Sequence, residues 1–163
     1  MINNNFEKKL KSKEFVFTAE TSPPDSTVRS EITDRVLCLK DLADAINVTD
    51  GASAKSHLSS LVVSSIIKDI EIEPILQLTT RDRNRIAIQS DLLGAWTLNI
   101  QNILCIYGDQ VETGDQPETK EVRDLDTLGV INTANYFKKE KKFPSGRSIT
   151  VSYTHLRAHE TLR

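Results

Sequence analysis

Excess positive charge is the first thing this sequence lacks. Its 21 Lys and Arg are set against 23 Asp and Glu, for a net charge of -2. Bulk attraction to nucleic acid or to an anionic membrane is therefore not expected. No apolar run approaches the roughly 20 residues that span a bilayer. The Asn- and Lys-rich stretch 1–13 has no apolar core of the kind a secretory signal carries. Only two cysteines occur, Cys38 and Cys105, far apart and outside any C-x-x-C pair. That usage fits a reduced, cytoplasmic setting. Phosphate-binding signatures are missing too: there is neither a Walker A loop nor a G-x-G-x-x-G fingerprint. The three histidines include His155 and His159, at a metal-ligand spacing but without the base of a metalloprotease motif. His57 reads as a surface or helix-face residue, and Cys105 as core rather than nucleophile.

What remains is an ordinary globular composition, 38% hydrophobic and 27% charged over 163 residues. Four short apolar segments stand out, Glu14–Thr18, Ile46–Thr49, Pro74–Thr79 and Asn102–Tyr107. Near-continuous apolar runs of this length suit parallel strands covered by helices. Helical periodicity fills each gap: Ile32, Val36, Leu39 and Ala43; Leu58, Leu61, Val62 and Ile66; Ile88, Leu92, Ala95 and Trp96. A last stripe, Val130, Ala134 and Phe137, belongs to a helix from about Asp124 that ends in a lysine-rich turn suited to its dipole. The strand starts, at 14, 46, 74 and 102, are spaced as successive βα units. Alternation alone leaves two architectures open, an open doubly wound sheet and a barrel of which four units are about half.

In either architecture ligands gather at the carboxyl ends of the strands. The first strand runs into Glu20-Thr21-Ser22-Pro23-Pro24, a carboxylate followed by a stiff turn. Such a carboxyl suits a general acid, and it equally suits a loop cap. The second strand leads to Thr49-Asp50-Gly51-Ala52-Ser53, small residues that admit a ligand closely or make an Asp-Gly turn with Ser53 as helix cap. At the third, Arg81-Asp82-Arg83-Asn84-Arg85 forms either a positive rim for an anionic cofactor or a capped helix start, Asp82 capping, with solvated ion pairs. At the fourth, Gly108 permits an unusual backbone angle just where Asp109 enters the pocket. There Asp109 is expected to pair with Glu20 in space, or to sit in a common turn.

Taken in order, Glu20-x-x-Pro-Pro, Val48-Thr49-Asp50-Gly51, Gln77-Leu78-Thr79-Thr80 with the arginine run, and Ile103 to Asp109 resemble the methylenetetrahydrofolate reductase family. The resemblance covers about residues 14–149 and implies an α/β fold, a (β/α)8 TIM barrel, here truncated to roughly its first four βα units. It implies FAD at the carboxyl ends of the strands and reduction of 5,10-methylenetetrahydrofolate to 5-methyltetrahydrofolate, a step of one-carbon metabolism that supplies the methionine methyl group. Glu20 matches the family's general acid, and Asp109 the acid between flavin and folate. Thr49, Gln77, Tyr107 and Gly108 match flavin-contacting positions. Gln77 stands where many members have His. The arginine run looks like a branch whose electron donor is NAD(P)H or another reductase component.

The expected organisation is an N-terminal extension over 1–13, a partial reductase domain over 14–149 and a non-native tail over 150–163. That tail is similar to one found on unrelated translated reading frames. Four βα units leave open sheet edges, so weak FAD binding, self-association and a largely inactive fragment are expected of this chain. The rival architecture is a small doubly wound, flavodoxin-like module that binds a nucleotide or acts in regulation.

Overall fold

The computed structural model describes residues 5–151. Four strands, β1 (Thr18–Thr21), β2 (Ala45–Val48), β3 (Pro74–Thr79) and β4 (Asn102–Ile106), form one sheet in the order β1-β2-β3-β4. All three pairings are parallel. Helices α1 (Asn5–Ser12), α2 (Arg29–Leu37), α3 (Ser60–Asp69), α4 (Arg85–Thr97) and α5 (Thr127–Glu140) precede β1 and follow each strand in turn.

The order is sequential, without the reversal that defines the switch point of a doubly wound sheet. Winding in one direction places the crossover helices on one face. Successive strand residues point to opposite faces, and the helix-lined core takes Ala19, Ile46, Val48, Leu76, Leu78, Ile103 and Cys105. Glu20, Asn47, Ile75, Gln77 and Leu104, on the other face, belong to none of these clusters. Among the described residues, no further strand pairs with β1 or β4, the two edges of the sheet.

The helix starts follow their caps. Asn84 accepts the Ile86 and Ala87 amides at 3.0 Å each, and Asp126 accepts the Gly129 amide at 2.7 Å. Helix α5 therefore begins at Thr127 rather than at Asp124. Its buried face includes Val130 and Phe137, and Lys138 and Lys139 occupy its last turn. The face of α4 carries the expected Ile88, Leu92 and Ala95.

Other expectations need correction. The first strand begins at Thr18, four residues beyond Glu14. Phe15 and Phe17, expected inside it, are 84% and 57% exposed. The Asp44 carboxylate accepts the Phe17 amide at 3.0 Å, and the Asp44 amide donates to the Phe17 carbonyl at 2.7 Å. The Asp44 side chain thus stands in for a ladder partner just before β2 and extends the β1–β2 seam by one position. Helix α2 stops at Leu37, so Leu39 and Ala43 lie in the turns that follow, although Leu39 still packs on the core. On α3 the buried apolar face is Val63, Ile66 and Ile67, while Val62 is largely exposed and Leu58 precedes the helix.

The segment 1–13 holds α1, whose Phe6 is buried and whose Lys9 meets Asp44 at 2.6 Å. Of the 150–163 segment, residues from 152 onward, including His155 and His159, lie outside the described residues. No helix among the described residues is long and apolar enough to cross a membrane.

Candidate functional site at the carboxyl ends of the strands

Parallel register brings the strand ends into one row. Glu20 is paired with Asn47 across β1 and β2, and the Thr49 amide donates to the Thr21 carbonyl at 3.1 Å. Gln77, nearly buried on β3, reaches Glu20 Oε2 with its Nε2 at a long 3.4 Å. Glu20, Asn47 and Gln77 therefore share the face that the helices leave uncovered. Two buried oxygens here, Asn47 Oδ1 and Thr49 Oγ1, have no hydrogen-bond partner. Buried polar atoms without partners are rare and mark a place where a polar ligand contributes the missing bond.

Asp109 lies at the other edge. Its Oδ2 accepts the Ser53 amide at 2.8 Å, tying the loop after β4 to the loop after β2. Three strand steps separate β1 from β4, about 14 Å along a sheet. Glu20 meets Gln77 and Asp109 meets Ser53, and no hydrogen bond joins the two acids expected to pair.

Gly108 has φ +86°, the unusual angle expected of it, and a Cβ there would come within 2.2 Å of Thr79 Oγ1. Tyr107 is half-exposed, with the Arg123 guanidinium 3.6 Å from its ring centroid. Arg123 also donates to the Tyr107 carbonyl at 2.7 Å and pairs with Glu121.

The arginine run does not form a free positive rim. Arg81 is buried, with Nε and Nη2 on the Asp82 carboxylate at 2.7 and 2.8 Å. Its remaining donors reach the Gly51 and Asp109 carbonyls, each at 3.2 Å. Arg83 sits between Asp50 and Asp91, at 2.7 and 2.8 Å. Arg85 is bidentate to Asp124, with both contacts at 2.8 Å. Each guanidinium is spent on a carboxylate of this chain. Asp82 is not the cap of α4; Asn84 is.

Asp50 is the hub that sequence reasoning passed over. Its buried carboxylate accepts the Thr79 amide at 2.9 Å, the Ser60 hydroxyl at 3.0 Å and the Arg83 fork. Burial opposes the charge of Arg83, but Asp50 and Asp91 outweigh it and raise its pKa. Burial lifts Asp91 above the usual carboxylate range against the pull of Arg83. The only hint in the sequence was the position of Asp50 beside a Gly, which reads as a turn. Ser53, expected as a cap, instead sits in a left-handed conformation, and its side chain caps no helix. His57 bridges Asp25 at 2.7 Å and the Ala52 carbonyl at 3.3 Å, joining the first two strand-end loops. Cys105 is core, and burial pushes its thiol up to about 11.

A cavity of about 540 Å³ opens at the opposite, amino ends of the strands, walled in part by Lys9, Phe15, Phe17, Lys40 and Lys68. Its lysines meet Asp44, Glu71 and Glu73 at 2.6, 3.9 and 2.5 Å, so no cation is left there to anchor an anion. Ligand chemistry in parallel sheets belongs to the carboxyl ends, where the partnerless oxygens lie.

No curated protein matches the chain. The family model described as methylenetetrahydrofolate reductase matches residues 5–154. That match takes in α1 and every strand-end residue described above, and the chain belongs to the methylenetetrahydrofolate reductase family.

Proposed function

We propose that the row of strand ends binds FAD and 5,10-methylenetetrahydrofolate and carries out the reduction to 5-methyltetrahydrofolate. The observation that carries this reading is the pair of partnerless buried oxygens, Asn47 Oδ1 and Thr49 Oγ1, beside Glu20 and Gln77 within a chain of this family. FAD, once bound and reduced by the electron donor, would supply the hydride for the methylene carbon. Thr49, Gln77, Tyr107, Gly108 and Asp109 are the residues that would hold it. The phosphate end finds no free guanidinium among Arg81, Arg83 and Arg85, so backbone N–H groups of the strand-end loops take that part.

Glu20 is the proton donor in this reading. It is exposed at the end of an edge strand, open to a substrate, and is held loosely by one long contact from Gln77. Its proton opens the folate to its reactive iminium form, the work of a general acid within hydrogen-bond reach. Asp109, fixed on Ser53, contacts the pterin and tunes the flavin from the other side. The electron donor is NAD(P)H or another reductase component, and the setting is the cytoplasm.

We further read the chain as the N-terminal half of a (β/α)8 barrel. Sequential strand order, helices on one face and two open edges support this, and four more strands would bring the remaining cofactor and folate contacts. Alone, the chain would hold FAD weakly, associate through its edges and show little activity. Glu20→Gln in a barrel-completed protein tests the chemistry. The expected result is intact FAD binding with the folate half-reaction down about 100-fold or more, the usual size of a general-acid contribution. Unchanged folate reduction would remove Glu20 from the mechanism.

A further inference from the structure

Arg81 is an expensive residue to bury, since a guanidinium loses its hydration and must recover every bond inside the protein. Its partner Asp82 does not explain the burial. The two are adjacent, and the Asp82 side chain is 41% exposed, so the same pair could form in solvent. Arg81 itself is only 3% exposed. What burial adds is the other half of the fork: Nη2 on the Gly51 carbonyl and Nη1 on the Asp109 carbonyl, both at 3.2 Å.

Three strand-end loops thus meet on one side chain. The seat is tight, because a Cβ on Gly51 would lie 2.6 Å from Arg81 Nη2. The Arg81 carbonyl also accepts the Val122 amide at 2.8 Å, drawing in the chain beyond the β4 loop. A second link runs parallel to the first, from Asp109 Oδ2 to the Ser53 amide at 2.8 Å. Residues 51–54 and Asp109 are therefore joined twice, once through the Arg81 fork and once through the Asp109 carboxylate. Gly51, Ser53 and Ala54 all have positive φ, and the loop's own bonds are a single short turn, the Ala54 and Lys55 amides on the Gly51 and Ala52 carbonyls at 3.1 and 3.2 Å.

We propose that Arg81 is a positioning residue: by gripping the Asp109 and Gly51 carbonyls it holds the Asp109 carboxylate on the Ser53 amide. The residue acts through Asp109 and touches neither cofactor nor substrate. Its importance to the reaction rests on the reading of Asp109 given above, whereas the grip itself does not. Lysine at this position keeps the charge but cannot span two carbonyls and a carboxylate at once.

The test uses the full chain without cofactor. An amide that donates to a carboxylate changes its proton chemical shift as that carboxylate titrates. The Ser53 amide should follow pH in the unmodified chain and lose that response in Asp109→Asn. In Arg81→Lys, with far-UV circular dichroism and the β1–β2 amide signals unchanged, the response is expected to be lost as in Asp109→Asn. Asp82→Asn, which spares both carbonyl contacts, is expected to retain it. A Ser53 response preserved in Arg81→Lys would overturn the inference, whatever the activity. Should Arg81→Lys fail to fold, Gly51→Ala takes its place, since its Cβ displaces Nη2; a retained Ser53 response there overturns the inference equally. Loss of the response with folate reduction unimpaired in the barrel-completed protein would leave the grip standing and remove Asp109, and Arg81 with it, from the reaction.

Discussion

Gly108 sits where two demands coincide, a φ of +86° and the Thr79 hydroxyl 2.2 Å from any added Cβ. Alanine there must strain the backbone or push β3 away from the β4 turn. Gly108→Ala is expected to lower stability by about 1–3 kcal/mol, measured as a shift of the denaturant midpoint at unchanged m-value. Gly146 also has positive φ, but no atom lies within 4 Å of its added Cβ, so its alanine variant gives the internal comparison without the steric component. This residue was legible in the sequence, because a glycine between a strand and an acid implies a special angle. The fates of Arg81, Arg83 and Arg85 were not. Three guanidiniums in five residues read as a surface charge, and only the fold reveals that Asp50 and Asp91 meet Arg83, that Asp124 meets Arg85, and that Arg81 turns inward onto two carbonyls. Asn47 was missed for a related reason. Its place beside Glu20 is set by the β1–β2 register, which no local pattern encodes.

Between elements, the joint most open to titration is that of Arg85 on α4 with Asp124 in the segment before α5. The Arg85 side chain and backbone hydrogen bonds hold the Asp124 carboxyl down at about 2, below its ordinary 3.8. A carboxylate whose pKa falls on folding contributes stability that is fully present above its unfolded value and is lost as pH falls through the folded one. Asp124→Asn should therefore destabilise the protein slightly at pH 6, and that difference should shrink below about pH 4 and vanish only below about pH 2. Parallel urea titrations of the two proteins across that range would reveal it; a difference that stayed constant with pH would rule the charge out. Elements with strong internal signals were read well from sequence. The β3 bounds and the face of α4 agree, because apolar period and burial coincide there. The first strand was displaced because Phe15 and Phe17 look like core. Their exposure follows from β1 being an edge, a property of the sheet and not of the segment.

At the scale of the molecule, the sheet is parallel with its four strands in sequential order, an α/β arrangement consistent with the family. A doubly wound module needs a reversal of strand order, and none is present among the four strands. The uncovered face, the two edges and the partnerless oxygens of Asn47 and Thr49 all lie where further strands and a ligand would complete a barrel site. On the proposed barrel reading, curvature would bring Glu20 and Asp109 around a common centre, where both would face one substrate. The most direct measurement joins this chain to four further βα units that close the barrel, loads FAD, reduces it anaerobically and adds 5,10-methylenetetrahydrofolate. Return of oxidised-flavin absorbance, one oxidation for each folate reduced, is the predicted result. Bound flavin that stays reduced in the presence of excess folate would contradict it.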